Sequence, residues 1–418
     1  MRIGYLLAEF PAQSHTWAWR EYQTLKTLGI DAAIAATRQP PKITPHPWVQ
    51  EAQSQTEYLI PFSRKDLALS LREILLAGPS AWLKCLGVVL NAEDMSFKQR
   101  LRLLALIIVS GKLAWLARTK GWSHIHSLYC SDAAHLAMFA AFLSRCTYSL
   151  TLLGPLEDFG PNQRQKWKWA AFALVMSNQL LKVVTKQLDG YLPASIRIAP
   201  MGADVEKNKR QTPYIPWNGT GTCRIYACGR LNVAKGYAYL LEAIALLWGQ
   251  GFDVHLQIAG EDEKGGSGYR QDIEKLIQQK ELSDCVELLG SVSEDRNRQG
   301  YEEAHIFALG SLEEGISVAV MEAMAMEVPV VMTDVGGMSE LIDDGVDGIL
   351  VPSQQANALA AAIAKIMQDP EFALNLSRAS RQKVATQFYH QRSAEILAQE
   401  LTRSNRTKLS SEPVTQPA

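Results

Sequence analysis

Residues 306–331 read Ile-Phe-Ala-Leu-Gly-Ser-Leu-Glu-Glu-Gly-Ile-Ser-Val-Ala-Val-Met-Glu-Ala-Met-Ala-Met-Glu-Val-Pro-Val-Val, an order that predicts a strand, a turn, a helix and another strand. The first strand spans Ile306 to Leu309, the helix begins near Ser317, and Val328 begins the next strand. Repeated strand-helix-strand units of this kind are typical of a parallel sheet covered by helices.

The same alternation extends outward from this unit over most of the chain. In the second half it begins at Cys223, and in the first half strands are predicted at 2–7, 30–36, 124–128, 148–152, 173–176 and 196–200. A chain of 418 residues exceeds what one hydrophobic core usually organises. The sequence therefore predicts an α/β protein with two tandem Rossmann-like, doubly wound domains that face a cleft.

The domain boundaries follow from changes in composition. The first domain is predicted at 1–207, with a mostly helical insert at about 64–120 where the alternation stops. A segment rich in Pro, Gly, Asn and Thr predicts a linker at 208–222. The second domain is predicted at 223–403, and the polar tail 404–418 is expected to be disordered.

Bulk composition excludes several classes of protein. The net charge of -1, from 42 basic and 43 acidic residues, provides no general attraction to nucleic acid. The six cysteines show no Cys-x-x-Cys pair, so reduced thiols in a cytoplasmic protein are expected. Neither a signal peptide nor an apolar run long enough to cross a bilayer is apparent.

Two groups of basic or metal-binding residues have competing interpretations. The insert carries Arg100, Arg102, Lys112 and Arg118, which suit peripheral contact with an anionic membrane at the inner face of the cytoplasmic membrane. The favoured alternative is that its helices cover the sheet and that these side chains are solvated. His124, His126 and His135 suggest zinc, but strand packing is preferred because no cysteine or carboxylate spacing completes a ligand set.

The turn and helix after Leu309 predict an anion site. The first N–H groups of a helix have no partner within it, so a phosphate fits at Gly315, Ile316, Ser317 and Val318. Glu314, at the strand end, points a carboxylate toward the group that follows the phosphate, and Glu322, about two turns further, suits ribose hydroxyls. The alternative is a capped helix with solvated glutamates.

A second cluster strengthens this interpretation. Cys228-Gly-Arg-Leu-Asn-Val-Ala-Lys-Gly begins where the first strand of the second domain ends, which places Arg230 and Lys235 at the same crevice. Two cations beside a phosphate site suit a departing nucleoside diphosphate, while Gly229 permits a tight turn. A surface role for Lys235 is the alternative.

These motifs in order resemble the family-four retaining glycosyltransferases. The series comprises Gly-Arg-Leu-x-x-x-Lys-Gly from Gly229, Glu314-Gly with Glu322-Ala-Met-Ala, Val328-Pro-Val-Val, Gly336-Gly-Met-Ser-Glu-Leu-Ile and Asp344-Gly-Val-Asp-Gly-Ile-Leu-Val-Pro. The resemblance covers nearly all of 223–385. In the first domain, Glu9-Phe-Pro-x-x-Ser-x-Thr and Glu21 resemble the start of bacterial exopolysaccharide and lipopolysaccharide transferases.

The resemblance implies a GT-B fold, a UDP- or GDP-sugar donor, a glycan or lipid-linked acceptor, retention of configuration and no obligatory metal or other cofactor. Carried over by position, Arg230 and Lys235 hold the diphosphate, Glu314 the donor sugar and Glu322 the ribose. Alternatives are a nucleotide-sugar epimerase on the same fold and a non-catalytic nucleotide-binding partner in a polysaccharide assembly complex.

Two positions depart from the pattern of the family. Glu327 stands where glycine is usual, so its backbone must avoid a positive φ or accept strain, and only a local adjustment is expected. Leu153 stands where related sequences commonly have histidine, and this substitution keeps the non-catalytic alternative open.

Overall fold

The computed structural model describes residues 1–12, 15–40, 47–262 and 265–411, with the backbone alone for 407–411. The chain divides into two compact units, one formed by Met1–Pro200 with the C-terminal segment from Gln391, the other by Met201–His390. Each unit contains one parallel sheet with helices between its strands. The predicted architecture of two tandem α/β domains is confirmed.

The sheet of the first unit has seven strands in the order β3-β2-β1-β4-β5-β6-β7. Its elements are β1 (Arg2–Glu9), α1 (Thr16–Thr27), β2 (Asp31–Arg38), α2 (Val49–Gln55), β3 (Glu57–Tyr58), α3 (Arg64–Ala77), α4 (Pro79–Leu90), α5 (Phe97–Lys120), β4 (His124–Ser127), α6 (Asp132–Ser144), β5 (Thr147–Leu152), α7 (Gln163–Lys168), β6 (Ala173–Val175), α8 (Asn178–Gln187) and β7 (Ile196–Ile198).

The sheet of the second unit has six strands in the order β10-β9-β8-β11-β12-β13. Its elements are β8 (Cys223–Cys228), α9 (Tyr237–Gly249), β9 (Val254–Ala259), α10 (Tyr269–Gln279), β10 (Val286–Gly290), α11 (Glu294–Glu303), β11 (Ile306–Leu309), α12 (Val318–Ala325), β12 (Val330–Thr333), α13 (Met338–Leu341), β13 (Ile349–Val351), α14 (Ala356–Gln368) and α15 (Pro370–Gln387). In α9, Leu240, Ile244 and Leu247 share one face of the helix and are fully buried.

Helices α3, α4 and α5 lie at 64–120, where the sequence predicts the insert. Capping boxes at Ser63 and Ser96 satisfy the first N–H groups of α3 and α5. Helices α3 and α5 approach closely at Gly111, because a Cβ there would lie 2.8 Å from the Ser70 backbone. The insert is therefore a packed part of the first unit.

The C-terminal helix α16 (Gln391–Ser411) belongs to the first unit, whereas the sequence assigned 391–403 to the second domain. Ala394, Leu397 and Leu401 lie on one face of this helix and are fully buried in the core of the first unit. Glu400 adds a polar contact, since the Ser195 hydroxyl donates to its carboxylate at 2.7 Å. The helix also continues through part of the tail predicted as disordered, while 412–418 lie outside the described residues.

The first boundary also differs from the prediction, because the units divide after Pro200 rather than at 207. The predicted linker 208–222 packs onto the second unit. Arg210 donates to backbone carbonyls of α11, including that of Glu302 at 2.6 Å, and the Tyr214 hydroxyl donates to the backbone of His305 at 2.7 Å. Loop composition indicated a break in the alternation but could not indicate what the segment packs against.

Candidate functional site

Strands β8 and β11, adjacent at the centre of the second sheet, mark a topological switch, since β9 and β10 follow on one side and β12 and β13 on the other. In doubly wound sheets, ligands bind in the crevice outside the carboxyl ends of the strands at such a point. The loops that leave these two ends carry the predicted residues Gly229, Arg230, Lys235, Glu314, Gly315, Ile316, Ser317 and, at the start of α12, Val318.

Close backbone contacts hold the two loops together. Gly236 has a φ of 59°, and a Cβ there would lie 1.8 Å from the carbonyl oxygen of Gly310, so only glycine fits. The Leu312 N–H donates to the carbonyl of Ala234 at 2.7 Å. The loop after β8 is therefore fixed against the loop after β11.

Lys235 and Glu314 form an ion pair across this contact. The Lys235 Nζ lies 2.5 Å from Glu314 Oε1, and the Ser311 hydroxyl donates to the same oxygen at 2.9 Å. The two charged side chains are 18% and 8% exposed. A cation and a carboxylate are thus held side by side in a largely desolvated position, whereas Arg230, on the same loop, is exposed.

The start of α12 provides backbone donors beside this pair. Ser317 occupies the N-cap position with φ -80° and ψ 115°, and its side chain makes no capping hydrogen bond. Ile316 and Ser317 are buried at 4% and 3% exposure. Because helix N-termini favour anions, this arrangement suits a phosphate next to Lys235.

Gly336 and Gly337 belong to a sequence motif that by itself gives them no role. Gly336 has a φ of 58°, and a Cβ there would lie 1.7 Å from the carbonyl oxygen of Glu314. The Gly337 N–H donates to the carbonyl of Gly315 at 2.7 Å. The Gly-Gly pair therefore fixes the backbone that carries Glu314. In the sequence, the Gly-Gly dipeptide was the signal for this turn.

Glu322 is half-buried on α12 and contacts a polar network that the sequence did not reveal. The Tyr301 hydroxyl, fully buried, lies 3.4 Å from the Glu322 carboxylate and 3.2 Å from the Ala319 carbonyl. Asn297 donates to this hydroxyl at 3.3 Å and accepts from Tyr226 at 2.8 Å. Burial, and then the nearby Cys228 and Glu322 charges, raise the pKa of Tyr301 well above its usual value, so it remains a donor.

Cys228 ends β8 beside the same carboxylate. Burial, followed by the charge of Glu322, raises the pKa of its thiol to about 12. Since the thiolate is the nucleophilic form of cysteine, this shift disfavours a nucleophilic role for Cys228 at neutral pH.

Glu327 accepts backbone strain rather than avoiding it. Its φ is 59°, in the left-handed region that favours glycine. Its N–H donates to the Met324 carbonyl at 3.1 Å, and its own carbonyl accepts from the Ser377 hydroxyl at 2.8 Å. These bonds hold the turn between α12 and β12.

In the first unit, the motif residues near the end of β1 mainly make structural contacts. Glu9 pairs with Arg38 at 2.8 Å. Glu21 is buried and accepts from the Tyr5 hydroxyl at 2.8 Å, and burial raises its pKa. Ser14 lies outside the described residues.

Leu153 directly follows β5 and is half-buried. It therefore lies at the carboxyl edge of the first sheet, as the sequence predicted. The structure shows no reason that leucine rather than histidine stands there.

The histidines considered for zinc have hydrogen-bond partners within the first unit. The Ser149 hydroxyl lies 2.7 Å from a ring nitrogen of both His124 and His126. His135 lies 3.2 Å from Asp132, but burial outweighs this carboxylate and lowers the imidazole pKa to about 4. In the described part of the chain, no group of three or more His, Cys, Asp or Glu side chains is arranged to hold a metal ion.

The four basic residues for which the sequence suggested contact with lipid also have partners within the protein. Arg100 donates to backbone carbonyls at the end of α4, including that of Leu90 at 2.8 Å. The other three pair with carboxylates of the same unit: Arg102 with Asp132, Lys112 with Asp66, and Arg118 with Glu73. Periodicity placed them on helices but could not reveal these partners.

Among the described helices, none by itself has the length and apolar composition needed to cross a membrane. Helices α3 and α4, which bend by 108° at their junction, meet these criteria as a pair.

Comparison with known proteins gives a family match within the second unit. Residues 220–383 match the family described as "Glycosyl transferases group 1". The chain is 35% identical over 171 residues to the amylovoran biosynthesis glycosyltransferase AmsK of Erwinia amylovora, covering 40% of this chain and 41% of AmsK. It is 31% identical to the putative colanic acid biosynthesis glycosyltransferase WcaL of Salmonella typhimurium, covering 48% and 50%. The matches thus span half or less of these relatives.

Solved structures resemble the chain over nearly its whole length. HepE from Anabaena, in complex with UDP-glucose, superposes with a TM-score of 0.73 at 16% identity, covering 96% of this chain and all of HepE. A glycosyltransferase from Rickettsia africae gives a TM-score of 0.70 at 16% identity, covering 98% and 99%. These likenesses show the GT-B fold. The second unit of this chain contains, at residues 220–383, a domain of the glycosyl transferases group 1 family.

Proposed function

We propose that this protein is a retaining hexosyltransferase that moves a sugar from a UDP- or GDP-linked donor to a glycan or lipid-linked acceptor in polysaccharide biosynthesis. The observation that carries the proposal is the Lys235–Glu314 pair beside the start of α12. A nucleotide sugar needs cationic and N–H groups for its diphosphate and a carboxylate for its hydroxyl groups, and these types of group adjoin here.

The diphosphate is the leaving group of the proposed reaction. As the glycosidic bond breaks, negative charge develops on its oxygen, and preorganised donors at that position lower the barrier. Lys235 supplies a cation held in place by Glu314, the exposed Arg230 supplies a second, and the first turn of α12 supplies N–H groups. Because these groups can contact the diphosphate directly, we propose metal-free chemistry.

In this proposal, two carboxylates bind the other two parts of the donor. Glu314 accepts hydrogen bonds from the sugar, and Glu322 accepts them from the ribose hydroxyls. Glu322 lies about one helical turn along α12 from the N-terminus, and Tyr301 contacts its carboxylate from the buried side. Its position is therefore set before the nucleotide binds.

The relatives support the choice of donor and pathway. Two of them are named for the biosynthesis of amylovoran and of colanic acid, and HepE was solved with UDP-glucose. By analogy we propose that this chain works in the cytoplasm, at the inner face of the membrane where lipid-linked acceptors are assembled.

The test is turnover of a panel of UDP- and GDP-hexoses, with and without glycan or lipid-linked acceptors. We expect release of the nucleoside diphosphate, and we expect Lys235→Met and Arg230→Ala each to lower kcat by about a hundred- to a thousandfold. Lys275→Met, at a side chain 69% exposed in the same unit, is the matched control and should change nothing.

Two outcomes would replace the proposal. Conversion of the donor to an altered free sugar without any acceptor indicates an epimerase. Binding of nucleotide without turnover of any donor indicates a non-catalytic partner, the alternative that Leu153 keeps open.

A further inference from the structure

The helical insert presents an unusually apolar surface to solvent. Twelve of the nineteen exposed large apolar side chains among the described residues lie between 67 and 108. They are Leu67, Leu71, Leu75, Leu76, Trp82, Leu83, Leu86, Leu90, Phe97, Leu101, Leu104 and Ile108, and we call them the apolar face. Contiguous exposed apolar surface of this extent marks an interaction site.

Helical spacing explains how the apolar face arises. In α4, Leu83, Leu86 and Leu90 recur at intervals of three and four and therefore share one side, and the same interval relates Phe97, Leu101, Leu104 and Ile108 in α5. The exposed fractions reach 70% at Leu83, 74% at Leu90 and 75% at Phe97. Each helix buries its opposite side within the first unit. The exposed stripe is therefore separate from the buried core.

Contacts at the helix junctions join the stripes. The Trp82 indole donates to the carbonyl of Ile74 at 2.5 Å, which brings the start of α4 beside the leucines that end α3. Arg100 donates to the carbonyl of Leu90 at 2.8 Å, which brings the end of α4 beside the start of α5. At both junctions, exposed apolar residues of neighbouring helices therefore lie close together.

The charges around the apolar face are mostly positive. Among residues 64–108, the exposed basic side chains are Arg64, Lys65, Arg72, Lys84, Lys98 and Arg102, whereas Asp94 is the one exposed acidic residue in this described range. Two copies of the chain pressed together through this face would oppose like charges. A partner with an anionic surface and an apolar interior complements the apolar face and the basic side chains around it.

We propose that the apolar face of α3, α4 and α5 docks onto an anionic lipid bilayer, with its leucines, Trp82 and Phe97 entering the interface and the surrounding lysines and arginines contacting lipid phosphates. Helices with leucines and aromatics on one side and basic residues at the flank lie in bilayer interfaces in this way. Membrane docking rests on the proposed function, because a lipid-linked acceptor lies in a membrane. Of the four basic residues predicted from the sequence, only Arg102 belongs to the exposed set around this face.

The experiment is flotation of the full chain with vesicles of phosphatidylglycerol and phosphatidylethanolamine, and with vesicles of phosphatidylcholine alone. We expect flotation with the anionic vesicles, reduced but not abolished by 0.5 M salt, since apolar insertion is insensitive to screening. Lys84→Gln and Lys98→Gln should each weaken binding about fivefold.

Glutamate substitutions test the apolar contribution. Leu83→Glu with Leu90→Glu should abolish flotation, and Leu75→Glu on α3 should weaken it at least tenfold. Ile215→Glu, at a side chain 72% exposed in the second unit, is the matched control and should float like the unmodified chain. Circular dichroism and the melting temperature show that each variant is folded.

Three results would overturn the inference: absence of flotation of the folded chain with anionic vesicles, unchanged flotation of the leucine variants, or a concentration-dependent dimer that these variants dissociate. The assay contains no sugar donor. Failure of the proposed enzymatic function, seen as no donor turnover, is therefore distinguishable from failure of membrane docking.

Discussion

The Lys235–Glu314 pair allows a prediction with a defined energy. In Lys235→Met the ammonium group is removed and the volume of the side chain is nearly kept. The Glu314 carboxylate, 8% exposed, then keeps the hydrogen bond from the Ser311 hydroxyl but has lost its cation. A desolvated charge that has lost its partner destabilises the folded state.

The size of the effect follows from the burial of the pair. Breaking a fully buried ion pair from one side costs about 3 to 5 kcal/mol. Because Lys235 is 18% exposed and the Ser311 bond persists, we expect a loss of about 2 to 3 kcal/mol. For a domain of this size, this loss lowers the melting temperature by about 4 to 12 °C.

The assay is a double-mutant cycle measured by urea unfolding with tryptophan fluorescence. Glu314→Gln removes the charge that needs a cation, so the double variant should recover at least about 1 kcal/mol relative to Lys235→Met alone. Lys275→Met, which breaks an exposed pair with Asp272, is the control and should cost less than about 1 kcal/mol. If the two single effects add without coupling, the pair carries no interaction energy and the reasoning is refuted.

Three further predictions follow from individual residues. Glu327→Gly should raise stability by up to about 1 kcal/mol in urea unfolding, because relief of the positive φ exceeds the entropy that glycine adds to the unfolded chain, whereas Glu327→Ala should show no such gain. Leu153→His should increase single-turnover transfer about ten- to a hundredfold without changing nucleotide affinity, and equal rates would show that the residue is ordinary packing. Burial lowers the folded-state pKa of His135 to about 4 against about 6.5 when unfolded, so the unfolded chain binds more protons between these values. The stability from neutral His135 is complete above pH 6.5 and is lost as the pH falls toward 4, and His135→Gln should reduce the slope of stability by about 1.4 kcal/mol per pH unit near pH 5.

Local periodicity was sufficient to predict the elements that position the site. The strand predicted at 306–309, the helix predicted to begin near Ser317 and the start of the alternation at Cys223 agree with β11, α12 and β8 of the structure. These segments have alternating or helical apolar patterns and glycines at their ends, so the signal lies within each segment. The adjacency of the loops after β8 and β11 followed from the rule for parallel sheets.

The sequence could not predict what each face of a helix packs against. The stripe Ala394, Leu397 and Leu401 indicates an amphipathic helix, but not that it packs in the first unit. Likewise, helical spacing does not predict that Arg118 pairs with Glu73, or that the leucines on one side of α4 are exposed. Such contacts depend on long-range packing, which periodicity does not encode.

The most direct test of the proposed donor site is the melting temperature of the full chain with UDP, GDP and other nucleoside diphosphates. At 100 times its Kd, a ligand stabilises the folded state by about 2.7 kcal/mol, or roughly 5 to 11 °C here. We predict such a rise with UDP or GDP, and its loss in Glu322→Ala and in Arg230→Ala. A melting temperature that no nucleoside diphosphate changes would contradict the assignment of the donor site.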